Sequence, residues 1–146
     1  MNLGLRGRVC VVTGSTGGIG LATARLLVEE GALVVVTGRD SARAEAARRE
    51  TGAKLAVVAD LADPGAPEEL LSQAEREVGP VTALINNVGT ATQADFLEVT
   101  DREWEELWQL NVMSFVRAIR RTRRCSRPRC IPLEKRLSYG WPRLLH

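Results

Sequence analysis

The chain has 146 residues, of which 45% are hydrophobic and 26% charged, and these proportions predict one ordinary globular domain. They exclude a coiled coil, a collagen-like chain and a wholly disordered chain. No stretch approaches the roughly 18–20 apolar residues of a membrane-spanning helix, and the N-terminus lacks a signal-peptide pattern. We therefore expect a cytoplasmic protein without a membrane partner.

Cysteine and histidine content argues against disulfides and metals. The cysteines, Cys10, Cys125 and Cys130, are odd in number and irregularly spaced, and His146 is the only histidine. A structural zinc site needs repeated Cys/His pairs, which this chain does not have. We expect neither a disulfide framework nor a metal site.

Charge divides the chain into two parts. Residues 1–116 hold 10 Lys/Arg and 17 Asp/Glu, whereas residues 117–146 hold 10 and 1. The first part is rich in Ala, Val, Leu and Gly in periodic order, while the second is rich in Arg and Pro and keeps neither the helix nor the strand period for long. The composition predicts a folded domain over 1–116 and a basic, irregular, disordered C-terminal tail over 117–146.

Short apolar runs alternate with helical patterns along the first part. Short runs rich in apolar residues, β-branched in the first and continuously apolar in the second, predict strands at 8–13, 32–37, 54–59 and 81–85. Helices are predicted between and after them, with Gly31 and Gly52 as C-terminal stops and Ser41 and Asp101 as N-caps. The alternation predicts an α/β fold, a Rossmann-like doubly wound parallel sheet of about four strands, whose ligand binds beyond the carboxyl ends of the strands.

A glycine-rich turn, Thr13-Gly-Ser-Thr-Gly-Gly-Ile-Gly20, joins the first predicted strand to the first helix. Gly14 permits the tight turn, and Gly18 and Gly20 keep Cβ atoms away from a bound pyrophosphate and from the helix–sheet contact. The exposed N–H groups of the helix start attract the anion. The position of the turn between a strand and a helix predicts a dinucleotide site.

With these motifs in this order, the sequence resembles the short-chain dehydrogenases/reductases. The family's Thr-Gly-x-x-x-Gly-Ile-Gly is matched by residues 13–20, and Asp60-Leu61 resembles its adenine-binding acid. Residues 86–89, Asn-Asn-Val-Gly, resemble its Asn-Asn-Ala-Gly, with valine in place of alanine. The resemblance covers roughly residues 6–118 and implies the strand order 3-2-1-4, with the fourth strand at an edge of the sheet formed here.

The resemblance implies an oxidoreductase that transfers hydride between a nicotinamide and a small-molecule carbonyl or alcohol. It assigns Asn111 to the catalytic proton relay, although an asparagine inside a helix also has a purely structural interpretation. Family members form homo-oligomers. The cofactor-binding residues that the motifs imply are Gly14, Ser15, Thr16, Gly18, Ile19, Gly20, Arg39, Asp60, Leu61, Asn87 and Gly89.

Cofactor preference depends on the end of the second predicted strand. An acidic residue there accepts hydrogen bonds from the ribose 2′-OH and repels a 2′-phosphate. Gly38 occupies that place and Arg39 follows it, and a guanidinium can meet a phosphate with two charge-assisted hydrogen bonds. The pattern favours NADP, with NADPH preferred over NADH. The alternative is a surface arginine neutralised by Asp40.

The family's chemistry also needs a serine and a Tyr-x-x-x-Lys pair, and no Tyr-x-x-x-Lys occurs in the chain. Tyr139 is followed by Arg143, which cannot replace the lysine because a guanidinium keeps its proton. Ser126 lies only fifteen residues after Asn111, which leaves no room for the expected strand. We expect a chain truncated or frameshifted, relative to the family, after about residue 117, and no activity from this chain alone.

The basic segment 117–129 allows a different function. Clustered cations bind phosphates or an acidic partner, but aromatic residues are not interleaved with these arginines, and a nucleic-acid partner is not expected. The alternative function is a non-catalytic dinucleotide-binding or interaction module. The sequence does not identify a substrate or an oligomeric state.

Overall fold

The computed structural model describes residues 3–124 and confirms the predicted alternation of strands and helices. Each strand begins and ends within one residue of its predicted bounds. In chain order the elements are β1 (Val9–Val12), α1 (Gly18–Glu29), β2 (Leu33–Gly38), α2 (Ser41–Thr51), β3 (Leu55–Val58), α3 (Ala66–Glu77), β4 (Val81–Ile85), α4 (Asp101–Trp108), a π-helical turn (Gln109–Met113) and α5 (Ser114–Arg124).

The strands form one parallel sheet in the order β3-β2-β1-β4. This is the Rossmann-like order that the family resemblance implies. Strand β1 pairs with β2 on one side and with β4 on the other, where the register shifts between Val9 and Cys10. Within residues 3–124 no strand pairs with the outer edge of β4. The reversal of strand order beside β1 opens a crevice at the carboxyl ends of the strands.

Helices cover both faces of the sheet, so the central strands are almost entirely apolar. Val9 and Val11 of β1 belong to a core cluster that includes side chains of α3 and α5, whereas Cys10 and Val12 belong to a cluster with side chains of α1 and α2. This separation follows from the two-residue period of a strand. Burial raises the pKa of the Cys10 thiol above its ordinary value.

Two helices begin with caps other than the predicted ones. Asp40, not Ser41, caps α2, since its carboxylate accepts the backbone N–H three residues later at 2.7 Å. Thr100, not Asp101, caps α4, and its N–H donates to the Glu103 carboxylate at 2.8 Å in a capping box. Both predicted residues are already the first helical residue, whereas a cap needs extended backbone. Adjacent residues of capping type left the sequence pattern ambiguous by one position.

Helix α5 extends to Arg124, past the predicted boundary at residue 116. Ala118 is buried, and Arg121 donates to the Glu75 carboxylate on α3 at 2.8 Å. The basic segment therefore begins as a helix, and one of its cations, Arg121, binds an acidic residue of the neighbouring α3. The rest of the predicted tail, residues 125–146, lies outside the described residues, and so do Cys125, Cys130 and Tyr139.

No helix within residues 3–124 combines the length and the apolar character that crossing a bilayer requires. No group of three His, Cys, Asp or Glu side chains in the same range is arranged to hold a metal ion.

Candidate dinucleotide-binding site

A cleft of about 390 Å³ lies at the carboxyl ends of the strands, where the sequence predicts the ligand. Its walls come from the glycine-rich turn, the segment after β2, the segment after β3, the segment after β4, and the π-helical turn. The lining residues are Gly14, Thr16, Thr37, Gly38, Arg39, Asp40, Arg43, Ala59, Asp60, Leu61, Val88, Gly89, Thr90 and Leu110.

The glycines of the turn differ in what they make room for. Gly14 and Gly18 have φ angles of +62° and +53°, in the left-handed region that favours glycine. A Cβ on Gly14 would lie 2.9 Å from the Val88 Cα, and a Cβ on Gly20 would lie 2.4 Å from the Gly14 carbonyl oxygen. A Cβ on Gly18 would meet nothing within 4 Å. Gly14 and Gly20 thus allow the turn to pack, whereas Gly18 leaves open space.

Side chains at the ends of β1 and β4 fix the glycine-rich turn. The Thr13 hydroxyl oxygen accepts the N–H groups of Asn87 at 2.8 Å and Val88 at 3.1 Å. The Asn87 side chain donates to the carbonyl oxygens of Thr13 at 3.0 Å and Gly14 at 3.1 Å. Asn87 therefore lies behind the turn and holds it, and is not among the lining residues.

Ser15 lies beneath the cleft. It is fully buried, and its N–H donates to the Thr37 carbonyl oxygen at 3.0 Å. Its hydroxyl donates to the Val12 carbonyl oxygen at 2.7 Å and accepts the Thr37 N–H at 2.8 Å. These contacts bind the turn to the end of β2 and leave neither polar group of Ser15 directed at a ligand. Ile19, which is 79% exposed, lies on α1 outside the lining.

Asn111 lies in the π-helical turn, a feature frequent at functional sites. Its side-chain nitrogen donates to the Thr90 carbonyl oxygen at 2.8 Å, and its side-chain oxygen accepts the Thr90 N–H at 2.9 Å. A Cβ on Gly89 would lie 3.1 Å from that oxygen. Asn111 thus connects the π-helical turn to the segment after β4, next to Gly89 and Thr90 in the wall of the cleft.

The end of β2 is closely packed against the glycine-rich turn. A Cβ on Gly38 would lie 2.3 Å from the Thr16 methyl carbon, so an acidic side chain has no room there unless Thr16 moves. Arg39 lines the cleft and forms no ion pair with a described carboxylate. The neighbouring Asp40 caps α2 with its carboxylate and does not neutralise Arg39.

Another wall of the cleft contains Asp60 and Leu61, the residues that follow β3. The Asp60 carboxylate accepts the Ala62 N–H at 3.1 Å, which fixes its orientation, and Leu61 is only 4% exposed. Asp60 and Arg39 both line the cleft.

The residues present fit a dinucleotide. Arg39 in the cleft lining has no ion pair with a described carboxylate, and the Thr37 hydroxyl, also in the lining, is buried without a hydrogen-bond partner in the described structure. A buried hydroxyl without a partner costs about 1–3 kcal/mol, which a polar ligand can offset. The sequence motifs did not identify Thr37, Arg43, Thr90 or Leu110; for Arg43, its place in the first turn of α2 was the available signal.

Comparison with known proteins agrees with this geometry. Residues 8–125 match the family model described as short chain dehydrogenase. The chain is 37% identical over 122 residues to the uncharacterized oxidoreductase YvrD of Bacillus subtilis, covering 82% of this chain and 46% of that protein. It is 40% identical over 111 residues to the NADP-dependent (R)-specific alcohol dehydrogenase of Lentilactobacillus kefiri, covering 74% and 44%. The chain thus spans about half the length of the curated relatives that it matches.

Solved structures share the fold. A short chain dehydrogenase from Mycobacterium smegmatis superposes with a TM-score of 0.79 at 32% identity, over 85% of this chain and 54% of that one. L-sorbose reductase from Gluconobacter frateurii, complexed with NADPH and L-sorbose, gives a TM-score of 0.74 at 34% identity, over 82% and 48%. On this evidence, the chain belongs to the short-chain dehydrogenase family of oxidoreductases.

Proposed function

We propose that the cleft binds NADP(H), with NADPH preferred over NADH. The observation that supports this preference most directly is that Gly38 and Arg39 follow one another at the end of β2 and both line the cleft. An acid at residue 38 would require the packed Thr16 methyl to move, and the unpaired guanidinium next to it offers a fork of donors to a 2′-phosphate. An NADP-dependent relative and an NADPH-bound structural neighbour support the same preference.

The proposed contacts follow the walls of the cleft. Gly18 leaves space for the pyrophosphate at the start of α1, where the backbone N–H groups face an anion. Asp60 and Leu61 form the adenine side, and Gly89 lies on the nicotinamide side. Ser15, Asn87 and Asn111 act through the backbone segments that they hold. When bound, the nicotinamide supplies or accepts hydride.

Binding measurements test the cofactor assignment. Quenching of tryptophan fluorescence, titrated with NADPH and with NADH, is expected to give a lower Kd for NADPH. Arg39→Ala is expected to remove most of that difference, and Arg102→Ala, which alters an exposed arginine paired with Glu106 outside the cleft, is the matched control. Equal affinity of the unmodified protein for both nucleotides contradicts the assignment of Arg39.

We further propose that the cleft is the cofactor half of an oxidoreductase for a carbonyl or alcohol substrate, in line with the alcohol dehydrogenase named above. Asn111 would lie next to the reacting centre, as the family motif implies. The 146 residues contain no Tyr-x-x-x-Lys, and general acid–base catalysis is worth roughly 10²–10⁴-fold in rate. We therefore expect this chain by itself to bind nucleotide without turnover.

Purified chain assayed with NADPH and a panel of ketones and aldehydes is expected to show no oxidation above background. A measurable rate that Tyr139→Phe abolishes would contradict this expectation and assign the proton donor to Tyr139. Nucleotide binding without any rate is also what the alternative, a non-catalytic dinucleotide-binding module, requires.

A further inference from the structure

Large apolar side chains are exposed together on the segment that follows β4. Phe96 and Leu97, which precede α4, are 73% and 88% exposed, and Trp104 and Trp108 on α4 are 47% and 52% exposed. The Phe96 and Trp104 rings meet edge to face with their centroids 5.9 Å apart, which joins the segment before α4 to the helix. We call this surface, residues 95–108, the α4 face. Exposed apolar side chains that are grouped in this way mark an interaction surface.

Acidic residues surround the exposed rings of the α4 face. Residues 95–108 contain six carboxylates and one cation, Arg102, which pairs with Glu106 at 2.9 Å. The other five carboxylates form no ion pair in the described part of the chain. All five belong to exposed residues, namely Asp95, Glu98, Asp101, Glu103 and Glu105. A partner that matches the α4 face is therefore both apolar and positively charged.

Residues 125–146, which lie outside the described residues, have this composition. They contain five Lys/Arg and a single acid, Glu134. Apolar and aromatic side chains are interspersed among the cations from residue 131 onward, namely Ile131, Leu133, Leu137, Tyr139, Trp141, Leu144 and Leu145. Because a guanidinium is attracted to the face of a tryptophan ring, the cations can bind the exposed rings as well as the carboxylates. The segment is thus complementary to the α4 face in charge and in apolar character.

The segment is also long enough to reach the α4 face of its own chain. Helix α4, the π-helical turn and α5 follow one another without a break, so Arg124 lies at most about 30 Å from Trp104 at 1.5 Å per residue. An extended chain covers about 3.3 Å per residue, so about nine residues are enough to return over that distance. The apolar part of the segment, which begins at Ile131, therefore lies within reach of Trp108 and Trp104.

We propose that residues 125–146 dock on the α4 face of the same chain, where their cations pair with the carboxylates and their apolar side chains cover Trp104 and Trp108. Covalent attachment gives the segment an effective concentration at the face of about millimolar, which favours it over a second copy in dilute solution. Burial of the aromatic and leucine side chains offsets the conformational entropy that docking costs. The basic segment thus has an acidic partner within its own chain.

A spin label on the segment tests its position in the full chain. Ser138→Cys, combined with Cys125→Ser and Cys130→Ser, leaves one reactive thiol because Cys10 is buried. In NMR spectra the label is expected to cause a loss of signal intensity in residues 95–108, including the indole N–H groups of Trp104 and Trp108. The signals of α1 are expected to keep their intensity, since α1 and α5 pack on opposite faces of the sheet. Spectra with the label chemically reduced give the reference intensities.

Charge reversal on two helices provides a matched comparison. Glu105→Lys on the α4 face is expected to restore the signals of Trp104 and Trp108, because it repels the cations of the segment. Glu29→Lys, which reverses an exposed acid on α1, is expected to leave the loss of intensity unchanged. About 1 M salt is expected to restore the signals without any substitution on the face, since the screening length falls to about 3 Å.

Three results overturn the proposal. The first is a loss of intensity that is confined to the end of α5 or is as strong in α1 as in residues 95–108. The second is an equal loss when spin-labelled chain is mixed with isotope-enriched chain that has no label, which would assign the α4 face to a second copy. The third is a loss that persists both in Glu105→Lys and in about 1 M salt, because charge pairing then does not hold the segment.

Discussion

The central strands and the segment that follows β4 differ sharply in packing. Every residue of β1 is buried, and Val34, Val35 and Val36 of β2 are fully inaccessible. None of residues 86–113 is buried, and the segment exposes four large apolar side chains. These are Phe96, Leu97, Trp104 and Trp108.

The difference in packing follows from how completely the strands are paired with neighbours and covered by helices. Strands β1 and β2 are paired on both sides and covered on both faces, whereas β4 is paired with β1 alone in the described structure. The chain after β4 has polar contacts that fix its backbone, namely Thr13 with Asn87, Thr90 with Asn111, and the Thr100 capping box, while only partly buried side chains such as Val88 and Leu110 pack against the core. We expect the stability of the segment after β4 to depend on single hydrogen bonds, whereas the stability of the sheet depends on apolar burial.

The largest contrast is expected between two leucines. Leu71 on α3 is 1% exposed in the core, whereas Leu97 is 88% exposed. Leu71→Ala is expected to lower the free energy of unfolding by about 2–5 kcal/mol, because it removes buried methyl groups and leaves a cavity. Leu97→Ala is expected to change it by less than about 0.5 kcal/mol. Urea denaturation followed by circular dichroism measures both, and similar losses would mean that the two regions are packed alike.

The packing of the glycine-rich turn can be tested at two of its glycines. A Cβ at Gly20 would lie 2.4 Å from the Gly14 carbonyl oxygen and 2.5 Å from the Asn87 side-chain nitrogen. Gly20→Ala is therefore expected to cost about 1–3 kcal/mol through overpacking. Gly18→Ala meets no atom within 4 Å and is expected to cost only the strain of its positive φ, about 1 kcal/mol. Denaturant midpoints rank the two variants, and a larger loss for Gly18→Ala would contradict the packing described for the turn.

The capping box tests whether hydrogen bonds hold the segment after β4. Thr100→Ala removes the hydroxyl that accepts the Glu103 N–H, and a loss of about 1 kcal/mol in helix stability is expected. Thr100→Ser keeps the oxygen and serves as the control. Hydrogen exchange is expected to show the loss in the amides of α4 and not in those of β1. Faster exchange throughout the protein would instead make α4 part of the central cooperative unit.

The smallest effect concerns pH. Hydrogen bonds from Arg48 and Arg49 lower the pKa of the Glu45 carboxyl to about 2. Because the folded pKa lies below the ordinary value of 4.5, the stabilisation is complete above about pH 5 and is lost as pH falls from about 4.5 to 2. NMR titration of the Glu45 carboxyl carbon measures this pKa. Arg48→Gln is expected to raise it, and an unchanged value in that variant would assign the shift to another cause.

Much of the fold was predictable because its signals are local. Short apolar runs specified four strands to within one residue, and Gly52 ended α2 with the expected left-handed backbone, φ +75°. The glycine-rich turn was predictable for the same reason, since its backbone conformation restricts which residues it accepts. The position of Arg39 after the second strand placed it in the cleft without knowledge of any distant contact.

The remaining features depended on elements that are far apart in the sequence. The sequence grouped Ser15 with cofactor-binding residues, but only the approach of β2 showed that its hydroxyl is used by Thr37, 22 residues away. Arg117–Arg124 is rich in arginine, as the predicted tail is, yet it is helical, with Ala118 buried in the core and Arg121 paired with Glu75 of α3. The sequence by itself determined the order of strands and turns, because backbone conformation and hydrophobic period are local properties. Tertiary structure decided which polar groups face the cleft, because a side chain's partner depends on how distant segments pack.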